Sequence, residues 1–140
     1  MLKSRSLAAM FLAISALGAT PGQAEPVDDW QAAITAQVEA FRDQDAAEAL
    51  SFAAQSFKRN FPDPGRFLAA IRVWGYAPII ESRSHSFGAY VEVTPSAALQ
   101  NVTFTGLDQK LYEAIYQLVL EEGAWRVSGV QMQRISGMGA

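Results

Sequence analysis

His85, the one histidine in the chain, and the tyrosines Tyr112 and Tyr116 are the side chains best suited to acid–base work. An imidazole facing a ligand could take a proton near neutral pH. A phenol beside it could donate to an oxygen gathering negative charge. Such a base needs an orienting partner and an enclosed site. The surrounding pattern is poor in partners: no Asp falls on the strands read below, and alternation puts Glu92 and Glu113 on the face opposite His85. The ordinary role for His85 is a rim histidine, solvated or bonded to backbone. Arg83, His85, Phe87, Tyr112 and Tyr116 are nonetheless the residues expected to line a cup, if one exists. Otherwise the tyrosines are core residues whose hydroxyls reach an edge.

Other chemistries find less support. Cysteine is absent, which removes thiol catalysis, disulfides, cysteine-based zinc sites and a lipoprotein anchor. One histidine makes a tight transition-metal site a poor reading, and no cofactor is expected. Gly137 and Gly139 lie in the tail with no helix to follow them, so there is no phosphate-cradling loop. Ser84, Ser86 and Ser96 lack the strand–turn–helix context of an activated serine. Asp28-Asp29 suits a helix cap better than a calcium pair.

The elements that must position these residues change period halfway along. Trp30, Ile34, Val38 and Phe41 recur at helical spacing behind Asp28-Asp29-Trp30-Gln31, which predicts one amphipathic helix. Asp45 opens a second, alanine-rich helix running to about Ala54. Asp63-Pro64 opens a third, striped by Phe67, Leu68, Ile71 and Trp74 and ended by Gly75 and Pro78. From there the period is two. Strands are expected at Arg83 to Thr94, Leu99 to Thr105, Leu111 to Leu120 and Trp125 to Arg134. Glu121-Glu122-Gly123 is a tight hairpin. Trp125 and Val127 share one parity, Val130 and Met132 the other, so a β-bulge near Ser128-Gly129 is needed to bring all four to one side. The outcome is an α+β domain with three N-terminal helices on a curved, cone-like four-stranded antiparallel sheet.

The N-terminus reads as an address. Lys3 and Arg5 precede an apolar or small run from Leu7 to Ala19, and Gly22-Gln23-Ala24 gives small residues before Glu25. This is the layout of a signal peptide over residues 1–24, cleaved between Ala24 and Glu25. The run is short of the roughly 20 residues a membrane span takes, so no stable span is expected after cleavage. The remaining residues, 25–140, suit a single domain. They keep nine basic and 14 acidic residues, a net charge of −5, which gives no basic face for nucleic acid. A periplasmic or secreted location follows.

The order of elements, with Gly123-Ala124-Trp125-Arg126-Val127 entering the last strand, resembles the nuclear-transport-factor-2-like (cystatin-like) superfamily. More narrowly, the chain resembles a family of small exported bacterial domains of unknown function. That likeness rests on Phe41 with Asp45, Pro64 with Arg66-Phe67-Leu68, Gly75-Tyr76-Ala77-Pro78, Phe104-Thr105-Gly106, Leu111 to Leu118 and Gly123 to Gly129. These are packing and turn residues. The resemblance implies a bent sheet wrapping a helix, with a pocket at one end. Relatives of that shape include isomerases, dehydratases, carriers and protein-binding modules, so fold leaves activity open. The expectation is an exported domain without catalytic activity that binds a small hydrophobic ligand or an envelope protein. The alternative is an isomerase or dehydratase of a small hydrophobic substrate, with His85 as base. Two copies are expected to associate through the open sheet face, at Tyr90, Leu99, Ile115 and Val119.

Overall fold

The computed structural model describes residues 26–133; the cleavage site expected at Ala24–Glu25 and the end of the chain lie outside them. Among the described residues five helices precede the sheet, where the sequence pattern suggested three: α1 Pro26–Arg42, α2 Ala46–Ser51, α3 Gln55–Asn60, α4 Pro64–Val73 and α5 Ala77–Ile80. The strands are β1 Ser82–Thr94, β2 Ala97–Gly106, β3 Leu111–Glu121 and β4 Ala124–Gln133. They form one antiparallel meander in the order β1-β2-β3-β4.

Local chemistry accounts for most helix ends. Asp45 accepts from the Glu48 amide at 3.1 Å, and Asp63 accepts from the Gly65 amide at 3.0 Å with Pro64 in the first turn. Both are N-caps. The first helix starts at Pro26, ahead of the expected cap, which leaves Asp29 inside its first turn. α4 closes in a Schellman motif: Gly75 takes φ +95°, its amide bonds Arg72 O, and the Tyr76 amide bonds Ile71 O. Pro78 then sits in the first turn of α5, where a missing N–H costs nothing, and starts a helix instead of ending one.

The second helix stops at Ser51 and does not run on to Ala54. Ala53 forms a parallel bridge with Val127. The Val127 amide donates to Phe52 O at 2.9 Å, and the Ala54 amide donates to Val127 O at 2.8 Å. Sheet pairing here outcompetes alanine's helix propensity, and α3 restarts with its first amide, Gln55 N, donating to the Glu121 carboxylate.

The core lies between the helical layer and one face of the sheet. Trp30, Ile34, Val38 and Phe41 are buried from α1, and Ala98, Val102 and Phe104 from β2. The bulge expected in β4 is present: Gln117 pairs Gly129 and Leu118 pairs Val127, leaving Ser128 unopposed. Trp125 and Val127 are buried, and Val130 and Met132 pack against the same core.

β1 departs from simple alternation. Its pairing with β2 slips between Ser82 and Ser84, between Phe87 and Tyr90, and between Glu92 and Thr94. The middle slip reverses the parity of Tyr90, Val91 and Glu92. Tyr90 therefore faces inward opposite Gln100, its ring 5.4 Å from Trp30, and is not on the outer face. Val91, opposite Leu99, takes that place, exposed with Val93. Glu92 likewise moves to the inner row, opposite Ala98. The sequence alternation is continuous through Gly88-Ala89, so nothing in the apolar pattern marks the slip.

Candidate functional site

Between α1, α3, α4 and the sheet lies an apolar cavity of about 100 Å³. Half of the residues lining it are aromatic: Phe41, Phe57, Phe67, Trp74, Tyr76 and Tyr116. Phe67 is the hub, with Phe41 at 5.9 Å and Phe57 at 6.3 Å between ring centroids. Phe57 meets Phe67 edge-on, whereas Phe41 is tilted to it by 30°. Trp74, 55% exposed, is the most open of the wall residues and marks the mouth.

Besides the exposed Trp74 indole, three polar side chains belong to this wall, and two are satisfied. Gln37, on the buried stripe of α1, donates to Ala49 O at 3.0 Å. The Tyr76 hydroxyl donates to Val130 O at 2.7 Å. Tyr116 is fully buried, and its hydroxyl meets no hydrogen-bonding group among the described residues. Buried polar atoms are met in the great majority of cases, so an exception asks for a reason. Burial holds the Tyr116 phenol well above its usual range; the Arg42 guanidinium pulls the other way, and Tyr76 adds to the rise. The phenol keeps its proton.

Of the five residues expected to line a cup, Tyr116 alone lines this cavity. Arg83 is the unpaired residue at the first slip of β1 and is exposed. Tyr112 sits over a separate surface hollow beside Pro78 and Glu81, and its hydroxyl donates to Asp108 Oδ2 at 2.6 Å. Phe87 packs edge-on to the His85 ring at 5.5 Å.

His85 is half-buried between β1 and α1. Its Nε2 lies 3.0 Å from Thr35 Oγ1, and its Nδ1 lies 3.1 Å from Arg42 Nη2. A guanidinium only donates, so Nδ1 accepts and Nε2–H donates to the threonine. Arg42 also donates to Ser82 Oγ, which passes a bond to Ile79 O at 3.0 Å. Burial, then the Arg42 charge, hold His85 below the usual imidazole value, with Glu39 opposing. The lone pair a general base would use is occupied by Arg42, and the ring ties α1 to β1.

Sequence reasoning had Phe41, Phe67 and Trp74 as stripe residues but not as walls of a shared space. The readable signal was Gln37, a polar residue between the stripe positions Ile34 and Phe41. Among the described residues no three His, Cys, Asp or Glu side chains gather as a metal site. No helix among them is long and apolar enough to cross a membrane.

A helical layer covers a four-stranded meander, with a cavity between them. An NTF2-like protein of unknown function from Shewanella oneidensis MR-1 shares this fold at a TM-score of 0.51, 12% identity, 79% coverage of this chain and 100% of that one. A protein from Kribbella flavida DSM 17836 also aligns, at a TM-score of 0.45, 11% identity, 76% coverage of this chain and 88% of that one. No curated protein matches the sequence. The chain belongs to the family described as domain of unknown function DUF4864, whose pattern it matches over residues 24–140.

Proposed function

We propose that this domain binds a small apolar molecule, without transforming it, in the cavity beneath α4. The observation that carries the reading is the apolar, aromatic-lined space beneath α4. Ligand sites are mostly apolar with a few placed polar groups. The absence of a carboxylate, imidazole or amine among the residues lining the cavity favours holding over proton transfer, since burial keeps the Tyr116 phenol protonated and so unable to act as a base. Export before folding is part of the same proposal, supported by Lys3, Arg5, the apolar run and Ala24; the family match leaves residues 1–23 outside it. So is pairing of two copies through Val91, Leu99, Ile115 and Val119, with sedimentation over a concentration series as its check.

The cavity is tested with benzene. A ligand that binds only the folded chain raises its stability by mass action. Wild type should therefore unfold at higher temperature in saturating benzene, while Ile71→Trp, which fills the space, should not respond. No shift in wild type would refute the reading.

A further inference from the structure

Resting on that reading, we infer that His85 and Arg42 form an acid-sensitive latch that regulates ligand binding in the cavity. The ligand is held near neutral pH and released as pH falls. His85 lies against one face of α1, where Thr35, Glu39 and Arg42 follow at helical spacing. Its Nδ1 is 3.1 Å from Arg42 Nη2, and its Nε2 is 3.0 Å from Thr35 Oγ1. The arginine contact exists only while the ring is neutral. A protonated imidazole donates from both nitrogens, and a guanidinium has no lone pair to accept with. Protonation therefore sets two N–H groups and two positive charges against each other, and one of them must move.

Both sides of the latch reach the cavity. Arg42 follows the wall residue Phe41 in the last turn of α1. Its guanidinium also donates to Ser82 Oγ, which donates to the carbonyl of Ile79, another wall residue. On the sheet side, the His85 ring lies 6.0 Å from Phe104, and Phe104 lies 6.3 Å from the wall residue Tyr116. Displacing Arg42 thus shifts the end of α1 and the Phe41 side of the space with it.

The charged surroundings of His85 are simple. On α1, Glu39 opposes the effect of Arg42. On β1, Arg83 is exposed, and just before that strand Glu81 is engaged by Arg72 at 2.9 Å. On β2 the residue opposite is Phe104, between Thr103 and Thr105. Beyond it on β3 stands Tyr112, whose hydroxyl is bonded to Asp108. Burial and Arg42 hold the imidazole below its ordinary value, so the latch stays shut at neutral pH and opens in acid.

Reciprocity supplies the test: if a proton on His85 weakens ligand binding, ligand must resist that proton by the same factor. His85 is the one histidine of the chain, so its Cε1–H resonance can be followed through a pH titration of untagged protein. Saturating benzene should lower its pKa by about 0.7, equivalent to a roughly fivefold coupling. Benzene titrations read from the Trp74 indole resonance should correspondingly weaken between pH 7.5 and 5.0. In His85→Gln the amide can still accept from Arg42 and donate to Thr35 but does not titrate, so binding should be equal at both pH values. If benzene binds wild type but leaves the His85 pKa within about 0.2, or raises it, the inference is wrong and the cavity reading stands. If benzene binds at neither pH, both are wrong. An acid loss in His85→Gln as large as in wild type would overturn the latch by giving the effect to another group. Should that variant fail to fold, the wild-type pKa shift still decides.

Discussion

Tyr116 and Phe differ by one oxygen, and the structure assigns that oxygen an unusual energetic sign. An unmatched buried hydroxyl costs about 1–3 kcal/mol, so its removal at unchanged shape should stabilise the ligand-free protein. Tyr116→Phe is expected to raise the urea midpoint by the equivalent of about 1 kcal/mol; a loss of stability would mean the hydroxyl is bonded after all. His85 gives the second expectation at this scale. Its folded form resists protonation, so the unfolded chain takes up a proton that the folded chain does not. Stability conferred by this residue is complete above about pH 6.5, the unfolded value, and declines as pH falls below it toward the lowered folded value. Urea titrations at pH 5.5 and 7.5 should show a larger acid loss in wild type than in His85→Gln, and equal losses would clear His85. The sequence marked both residues but not their circumstances. Parity correctly put His85 inward, yet its partners Thr35 and Arg42 come from α1, and a strand pattern carries no record of which helix side chains lie opposite.

At the scale of elements, Gln100 shows how irregular backbone is accommodated. It is fully buried in β2; its Oε1 accepts from Trp30 Nε1 at 2.9 Å, and its Nε2 donates to Gly88 O at 3.0 Å and Ala89 O at 3.3 Å. Those carbonyls lie where β1 slips. One side chain thus satisfies the strand irregularity and fixes the indole against which Tyr90 packs. Gln100→Leu should cost about 3 kcal/mol in chemical denaturation, because a buried indole N–H and the slipped carbonyls lose their partner; a cost below about 1 kcal/mol would show that water substitutes. The β3–β4 hairpin has the opposite character. Glu122 and Gly123 take φ of +52° and +80°, the two-residue turn that favours Asn-Gly. Glu122→Asn should add about 0.5–1 kcal/mol of stability, read as a higher urea midpoint, since asparagine tolerates this backbone better. The β4 bulge was legible because a hydrophobic run changed parity beside a glycine. The β1 slip was not, because Ala89, Val91 and Val93 continue the apolar series across it.

Across the whole molecule, helices and sheet share a single set of buried contacts. Trp30 of α1 meets Trp125 of β4 at 5.2 Å, and Val127 is bonded on both sides of its peptide to the Phe52–Ala54 segment. Such mutual dependence predicts one cooperative transition, with tryptophan fluorescence and far-ultraviolet circular dichroism changing together under urea; separate midpoints would mean the helical layer melts alone. The layered α+β order and the meander were legible from the change of period after Pro78. The two extra short helices were not, since a single turn offers too few residues for a periodic signal.

The uneven pairing of β1 has a consequence for the company the chain keeps. Thirteen residues of β1 run beside ten of β2, so its free margin is kinked and out of step with any straight partner. On the far margin, the Val127 peptide is taken by Phe52 and Ala54, and the Val130 carbonyl by Tyr76. An incoming extended segment finds a crooked template on one flank and occupied groups on the other, which is how sheet proteins escape templated fibre growth.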